Sequence, residues 1–148
     1  MISFFPDVNV WLALSIADHS HSEDAWRWLG TLASDARLAF GRYTQLGMLR
    51  LLTNPQVMGA KPLTLAKAWE VYDRWLEDPR VEYFAEPRSV DAVFRDLTKA
   101  HASQPATKSV GDCWLLACSS EMGSTLVTFD RALYAFARRN GRGAVIPS

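Results

Sequence analysis

The sequence predicts an α/β fold: one domain with a central parallel sheet of about four to five short strands flanked by helices. Three observations predict it. Apolar runs of strand length recur at residues 2–6, 36–40, 81–84, 125–129 and 144–146, and segments with helical spacing of apolar residues separate them. Strands that alternate with helices build parallel sheets covered on both faces. Finally, the 148 residues, 49% of them hydrophobic, suffice for one buried core and show no linker, internal repeat or low-complexity segment. Residues 1–148 therefore read as a single domain.

Taken in order, Ile2, Ser3, Phe4, Phe5 and Pro6 form the first strand, and Val8, Trp11 and Leu12 open a helix after Asp7. The next helix is expected over residues 23–33, because Ser20 and Glu23 have capping-box spacing and Ala25, Trp26, Leu29 and Leu32 keep one face. Residues 36–40 are a short strand. Leu46, Met48, Leu49 and Leu52 make residues 42–53 an apolar helix that Asn54-Pro55 stops. Residues 65–76 are amphipathic, with Trp69, Tyr72 and Trp75 near the buried stripe, and residues 81–84 follow as a strand. Val93, Phe94 and Leu97 mark a helix over residues 90–101, and the polar stretch 102–108 reads as a mobile loop. The helix that carries Asp112 ends at Gly123 as its C′ residue. A strand at 125–129, a helix at 131–139 and a strand at 144–146 close the chain.

Lys+Arg and Asp+Glu balance at 16 each, so no global positive field draws the protein to polyanions, and any such binding is local. Arg131, Arg138, Arg139 and Arg142 make the tail the basic side, whereas Glu70, Asp73, Glu77, Asp78, Glu82 and Glu86 crowd the middle. Cys113 and Cys118 match neither a C-x-x-C nor a zinc spacing and read as small core residues. No apolar run approaches the roughly 20 residues that span a bilayer, and no signal-peptide pattern opens the chain, so a reducing cytoplasm is the expected compartment.

The chemistry concentrates in three aspartates, Asp7, Asp112 and Asp130, each placed where a strand or loop gives way to a helix. Asp7 and Asp130 stand at carboxyl ends of predicted strands, where open α/β sheets bind ligands. Each taken alone is also a natural helix cap, and Ser109 with Asp112 has the spacing of a capping box. Capping does not explain their company: Asn9 two residues after Asp7, Thr128 two before Asp130, and the polar helix start Tyr43, Thr44, Gln45. Other candidates are weaker. His19 and His21 read as surface, His101 stands alone, and no G-x-S-x-G or phosphate-loop glycine pattern is present. Trp11, Trp69, Trp75 and Trp114 fall on apolar helical stripes and read as core. Tyr43, beside the candidate site, is open to either a packing or a base-stacking role.

The Asp-x-Asn at residues 7–9, Thr44-Gln45 ahead of Leu49-Arg50-Leu51-Leu52-Thr53-Asn54-Pro55, Asp112, and Thr125-Leu126-Val127-Thr128-Phe129-Asp130 resemble a PIN domain, and more narrowly the VapC toxin ribonucleases of toxin-antitoxin pairs. The resemblance spans essentially the whole chain. It implies an endoribonuclease in which Asp7, Asp112 and Asp130 hold Mg²⁺ or Mn²⁺, with Asn9, Gln45 and Thr128 as supporting catalytic groups. Hard divalent cations take oxygen ligands, and clustered carboxylates that repel one another are stabilised by a cation. It also implies an RNA substrate, a VapB-like antitoxin whose cationic side chain could enter the carboxylate ring, and a homodimer. One departure stands out: Gln45 occupies the matched position of a usual glutamate. Metal affinity is then expected to be weak, and Gln45→Glu to tighten Mn²⁺ binding. A catalytically impaired domain that only binds RNA or its partner, and an RNA-processing PIN nuclease without an antitoxin, are the competing readings.

Overall fold

The structure is a computed structural model that describes residues 3–105 and 108–148; Ile2 of the first predicted strand, and Ala106 and Thr107 of the predicted polar loop, lie outside the described residues. Its strands are β1 (Ser3–Pro6), β2 (Arg37–Phe40), β3 (Val81–Tyr83), β4 (Thr125–Val127) and β5 (Ala144–Val145). They form one sheet in the order β3-β2-β1-β4-β5, with every neighbouring pair parallel. The helices are α1 (Val8–Ser15), α2 (Ser22–Thr31), α3 (Arg42–Leu52), α4 (Pro55–Met58), α5 (Leu65–Leu76), α6 (Val90–Thr98), α7 (Ser109–Glu121) and α8 (Arg131–Arg139). A 3₁₀ turn at Lys99–His101 extends α6.

Two cores follow from the period of two along the strands. Phe4, Leu38, Phe40 and Val127 face one layer, made by α1, α2, α3 and α5. Phe5, Ala39 and Leu126 face the other, made by α6, α7 and α8. Burial on both faces explains why the strands are runs of apolar residues rather than alternating ones. Register is set at the centre, where Phe4 pairs with Thr125, Phe5 with Leu126 and Pro6 with Val127. Consequently the residues that follow β1 and β4 emerge side by side.

Trp11 anchors the first layer. It is fully buried, stacks on Phe40 at 3.9 Å between ring centroids, and meets Trp75 edge-on at 5.5 Å. Among the other tryptophans expected in the core, Trp75 and Trp114 are half-buried, and Trp69 remains 40% exposed because α5 turns Ala68 and Tyr72 inward instead. On α2 the buried stripe is Ala25, Trp28 and Leu29, which leaves Trp26 half-exposed. The helix begins at Ser22 with His21 as an N-cap that makes no side-chain bond, so the Ser20 capping box does not form.

Other boundaries moved for identifiable reasons. Asn54-Pro55 ends one helix and starts another: the Asn54 side chain accepts from the Gln56 N–H, and Pro55 takes the first helical position, where its missing N–H costs nothing. β4 stops at Val127, short of the predicted Phe129: the Thr128 N–H still reaches the Val145 carbonyl, but the Phe129 N–H turns aside to Asn9 Oδ1. Gly123 does follow α7 with a left-handed φ of 65°, the conformation that favours glycine there. Among the described residues no helix is long and apolar enough to cross a membrane.

Replacing the Trp11 indole leaves a cavity between α1, β2 and α5. Trp11→Ala is expected to lower unfolding free energy by about 3–5 kcal/mol in urea titration.

Candidate active site

Chain order reverses across β1: β2 and β3 extend to one side of it, and β4 and β5 to the other. The crevice of an open α/β sheet opens at such a reversal. Asp7 and Asp130 flank it, one following each central strand. Both are helix N-caps: Asp7 Oδ1 accepts from the Val8 N–H at 2.7 Å, and Asp130 Oδ1 accepts from the N–H groups of Ala132 and Leu133 at 3.0 and 3.2 Å. Capping and site placement are thus one and the same for these two residues.

Thr128 and Asn9 lock the two turns together. The Thr128 hydroxyl donates to Asp7 Oδ2 at 2.9 Å and accepts from the Asp130 N–H at 3.0 Å. Asn9 Nδ2 donates to Asp7 Oδ2 and to Thr128 Oγ1, each at 3.2 Å, while its Oδ1 accepts from the Phe129 N–H. Asp112 arrives from the opposite layer, in the first turn of α7. There the capping box fails: Lys108 is the N-cap and makes no side-chain cap bond, so the Asp112 carboxylate is free of that duty.

The three aspartates, with Asn9, line a cavity of about 450 Å³. Val8, Leu46, Leu51 and Leu115 give it apolar walls, and Arg50 and Lys108 supply positive charge. Tyr43 also lines it, half-exposed, with its hydroxyl packed on Gly111 so closely that a β-carbon there would push the ring aside. A glycine directly before Asp112 therefore lets α3 and α7 meet at the rim.

Gln45 is not brought to this cavity. It is buried on the opposite stripe of α3 with Met48, Leu49 and Leu52, and its amide oxygen accepts from Arg42 at 2.5 Å. Helical geometry is the reason: Thr44, Gly47 and Leu51 share the cavity face, so position 45 turns about 100° away toward the core. The fold thus sets Gln45 apart from Asp7, Asp112 and Asp130, the carboxylates with which the sequence groups it. Sequence inspection also missed Lys108, whose signal was its place one helical turn before Asp112. His21 is exposed, as expected, and its ring stacks on Phe129 at 4.3 Å.

Electrostatics distinguish the three carboxylates. Burial pushes Asp7 up to about 6; repulsion from Asp112 and Asp130 adds to this, against the hydrogen bonds from Thr128 and Val8. Burial also raises Asp112, although Lys108 opposes it. Burial works upward on Asp130 too, but Lys108 and the Leu133 and Ala132 N–H groups outweigh it and hold the carboxyl below its ordinary value. Among the described residues no three Asp, Glu, His or Cys side chains are gathered closely enough to hold one ion as they stand. Instead the Lys108 ammonium is hydrogen-bonded to Asp130 and lies 3.7 Å from Asp112. An all-oxygen donor set, mutual repulsion and an ammonium drawn between two carboxylates all fit a hard divalent cation.

A five-stranded parallel sheet with an acidic crevice at its topological reversal defines an open α/β protein whose candidate site lies at the carboxyl ends of the strands. The PIN domain model matches residues 4–139, and the chain belongs to the PIN-domain family. Within it, the chain is 39% identical over 130 residues to Ribonuclease VapC41 of Mycobacterium tuberculosis, covering 85% of this chain and 88% of that protein. Ribonuclease VapC44 of the same species is 30% identical over 128 residues, covering 86% and 85%. These relatives place the chain in the VapC branch. Solved structures share its fold: VapBC2 from Rickettsia felis bound to a promoter DNA fragment has a TM-score of 0.70 at 13% identity, covering 99% of this chain and 100% of that one. Mycobacterium tuberculosis VapC20, a sarcin-ricin loop cleaving toxin, has a TM-score of 0.65 at 16% identity, covering 89% and 93%.

Two outcomes are expected. Because the Asp7 carboxyl is raised in the fold, its contribution to stability is full below its ordinary value of 3.8 and is lost as pH rises through about 6. The stability difference between the protein and Asp7→Asn should therefore shift toward the variant between pH 4 and pH 7 by up to about 3 kcal/mol, read by urea titration without divalent ions. Gln45→Glu, facing the core, should leave the Mn²⁺ affinity within about twofold in calorimetry, since its carboxylate would pair with Arg42 rather than reach the cavity.

Proposed function

We propose that this chain is a metal-dependent endoribonuclease toxin, residues 1–148 forming one PIN domain, that cleaves cellular RNA by hydrolysis and is neutralised by a VapB-like antitoxin. The observation that carries the reading is the meeting of Asp7, Asp112 and Asp130, drawn from three separate elements, in one cavity that also holds Lys108 and Arg50. The names of the VapC relatives and the VapBC complexes among its structural neighbours support the activity and the partner.

Asp7, Asp112 and Asp130 would hold Mg²⁺ or Mn²⁺, which supplies Lewis acidity against the charge that gathers on the phosphate. The chain's own groups prepare that site. Thr128 and Asn9 fix the Asp7 carboxylate, so it need not reorganise when a cation or substrate arrives. The N–H groups at the start of α8 hold one Asp130 oxygen and leave the other to face a cation. Arg50 at the cavity wall offers a positive partner to an incoming phosphate, and the apolar walls of Leu46, Leu51 and Leu115 thin the water around it. Tyr43, half-exposed at the rim, presents an aromatic face to a flanking base. Ionised carboxylates are needed throughout, and Asp7 reaches that state above about pH 6. A homodimer working in the cytoplasm completes the reading.

The test is cleavage of a labelled cellular RNA pool with Mg²⁺, Mn²⁺ or EDTA, beside Asp7→Ala and Asp130→Ala. Cutting that requires metal, leaves 5′-phosphate ends and drops at least about 100-fold in both variants is the expected result. Cutting that survives EDTA or either substitution would overturn the hydrolytic mechanism.

A further inference from the structure

Lys108 is in an unfavourable place for its helix. It is the N-cap of α7, where the macrodipole repels a cation and where a side chain that accepts hydrogen bonds is preferred; it makes no cap bond. Its partners are also unlike those of other lysines in the chain. Lys67 pairs with Glu70 and Lys99 with Asp96 along exposed helix faces, every side chain in these pairs at least 60% exposed. Lys108 reaches instead to Asp112 and Asp130, which are only 23% and 19% exposed, while its own side chain remains 66% exposed. The ammonium thus joins a carboxylate of its own helix, Asp112, to one that follows β4, Asp130.

We propose that Lys108 is the site's built-in counter-ion, displaced when a divalent cation binds Asp112 and Asp130 and then free to bind the substrate phosphate. The inference rests on the metal-dependent reading above and deepens it. Lysine suits both tasks, because it is a compact charge on a flexible stem, and here most of the side chain is exposed. One ammonium cannot neutralise three carboxylates, so a divalent ion that reaches all of them displaces it. Once released, the ammonium remains at the mouth of the cavity it shares with Arg50, and the two cations there can grip one phosphate. The chain thereby lowers its own metal affinity in exchange for a site that stays assembled without metal.

The experiment compares the full chain with Lys108→Met and Lys108→Arg, using circular dichroism to confirm the fold. Calorimetry with Mn²⁺ alone should show about fivefold tighter binding for Lys108→Met and no tightening for Lys108→Arg. Anisotropy of a labelled single-stranded RNA should show Lys108→Met weakening binding about fivefold in Ca²⁺, with the logarithmic salt slope reduced by about 0.7, and little change in EDTA. Unchanged or weaker Mn²⁺ binding by Lys108→Met, in a wild-type protein that binds Mn²⁺ and cuts RNA, would overturn this inference alone. An equal loss of RNA binding in Ca²⁺ and EDTA would overturn the displacement. Failure of both proteins to bind Mn²⁺ would overturn the metal-dependent reading and this inference with it.

Discussion

The hydrogen bond from Thr128 to Asp7 joins the ends of the two central strands, and the candidate site is organised around it. Through the same hydroxyl Thr128 accepts the Asp130 N–H, so one side chain sets the separation of two aspartates that belong to opposite ends of the sequence. Asn9 repeats the bridge with its amide, binding Asp7 and Thr128 with one end and the Phe129 backbone with the other. These bonds require β1 and β4 to be parallel neighbours in register, Pro6 beside Val127. A one-residue slip would turn Asp7 away from Thr128 and exchange the two cores that Phe4 and Phe5 separately fill.

That arrangement gathers negative charge where solvent is scarce. Burial raises Asp7, and the neighbouring carboxylates raise it further. The chain offsets part of this with donors: the Val8 N–H, Thr128, Asn9, and at Asp130 the first N–H groups of α8. It offsets another part with Lys108. What remains is repulsion among neighbouring carboxylates, which a bound cation would relieve, so the features that disfavour the empty site would favour loading under the proposed function.

At Asp7 and Asp130, helix capping and placement at the candidate site coincide instead of competing. An aspartate just after a parallel strand meets the N-terminus of the next helix, so the N–H groups that cap the helix also fix the rotamer of the carboxylate. One oxygen of Asp130 serves the helix while the second faces the cavity. Asp112 differs, since its helix leaves the carboxylate uncapped; capping and function separate there. For that reason the capping pattern in the sequence was a poor guide to which aspartates could do chemistry.

The order of strands and helices, the parallel sheet, the turn glycine at 123 and the grouping of Asp7, Asp112, Asp130, Asn9 and Thr128 were legible in the sequence, because apolar period and strand-end position are local properties. Gln45 was misplaced by a rotation of one residue about α3, and Trp26 and Trp69 by a similar rotation of their helices. A pattern of apolar spacing defines a stripe but leaves its edges open, and only the neighbouring layer decides which edge is covered. Gly111, the walls of the cavity and the reach of Lys108 to Asp130 came from tertiary structure alone. Their roles depend on α7 facing α3 across the reversal of the sheet, a distance relation between segments that no local spacing encodes. By itself, then, the sequence determined which residues were candidates for the site and at which strand and helix ends they stand. Only packing decided the distances between them and the neighbours that surround them, because charge and shape act through space between residues far apart in the chain.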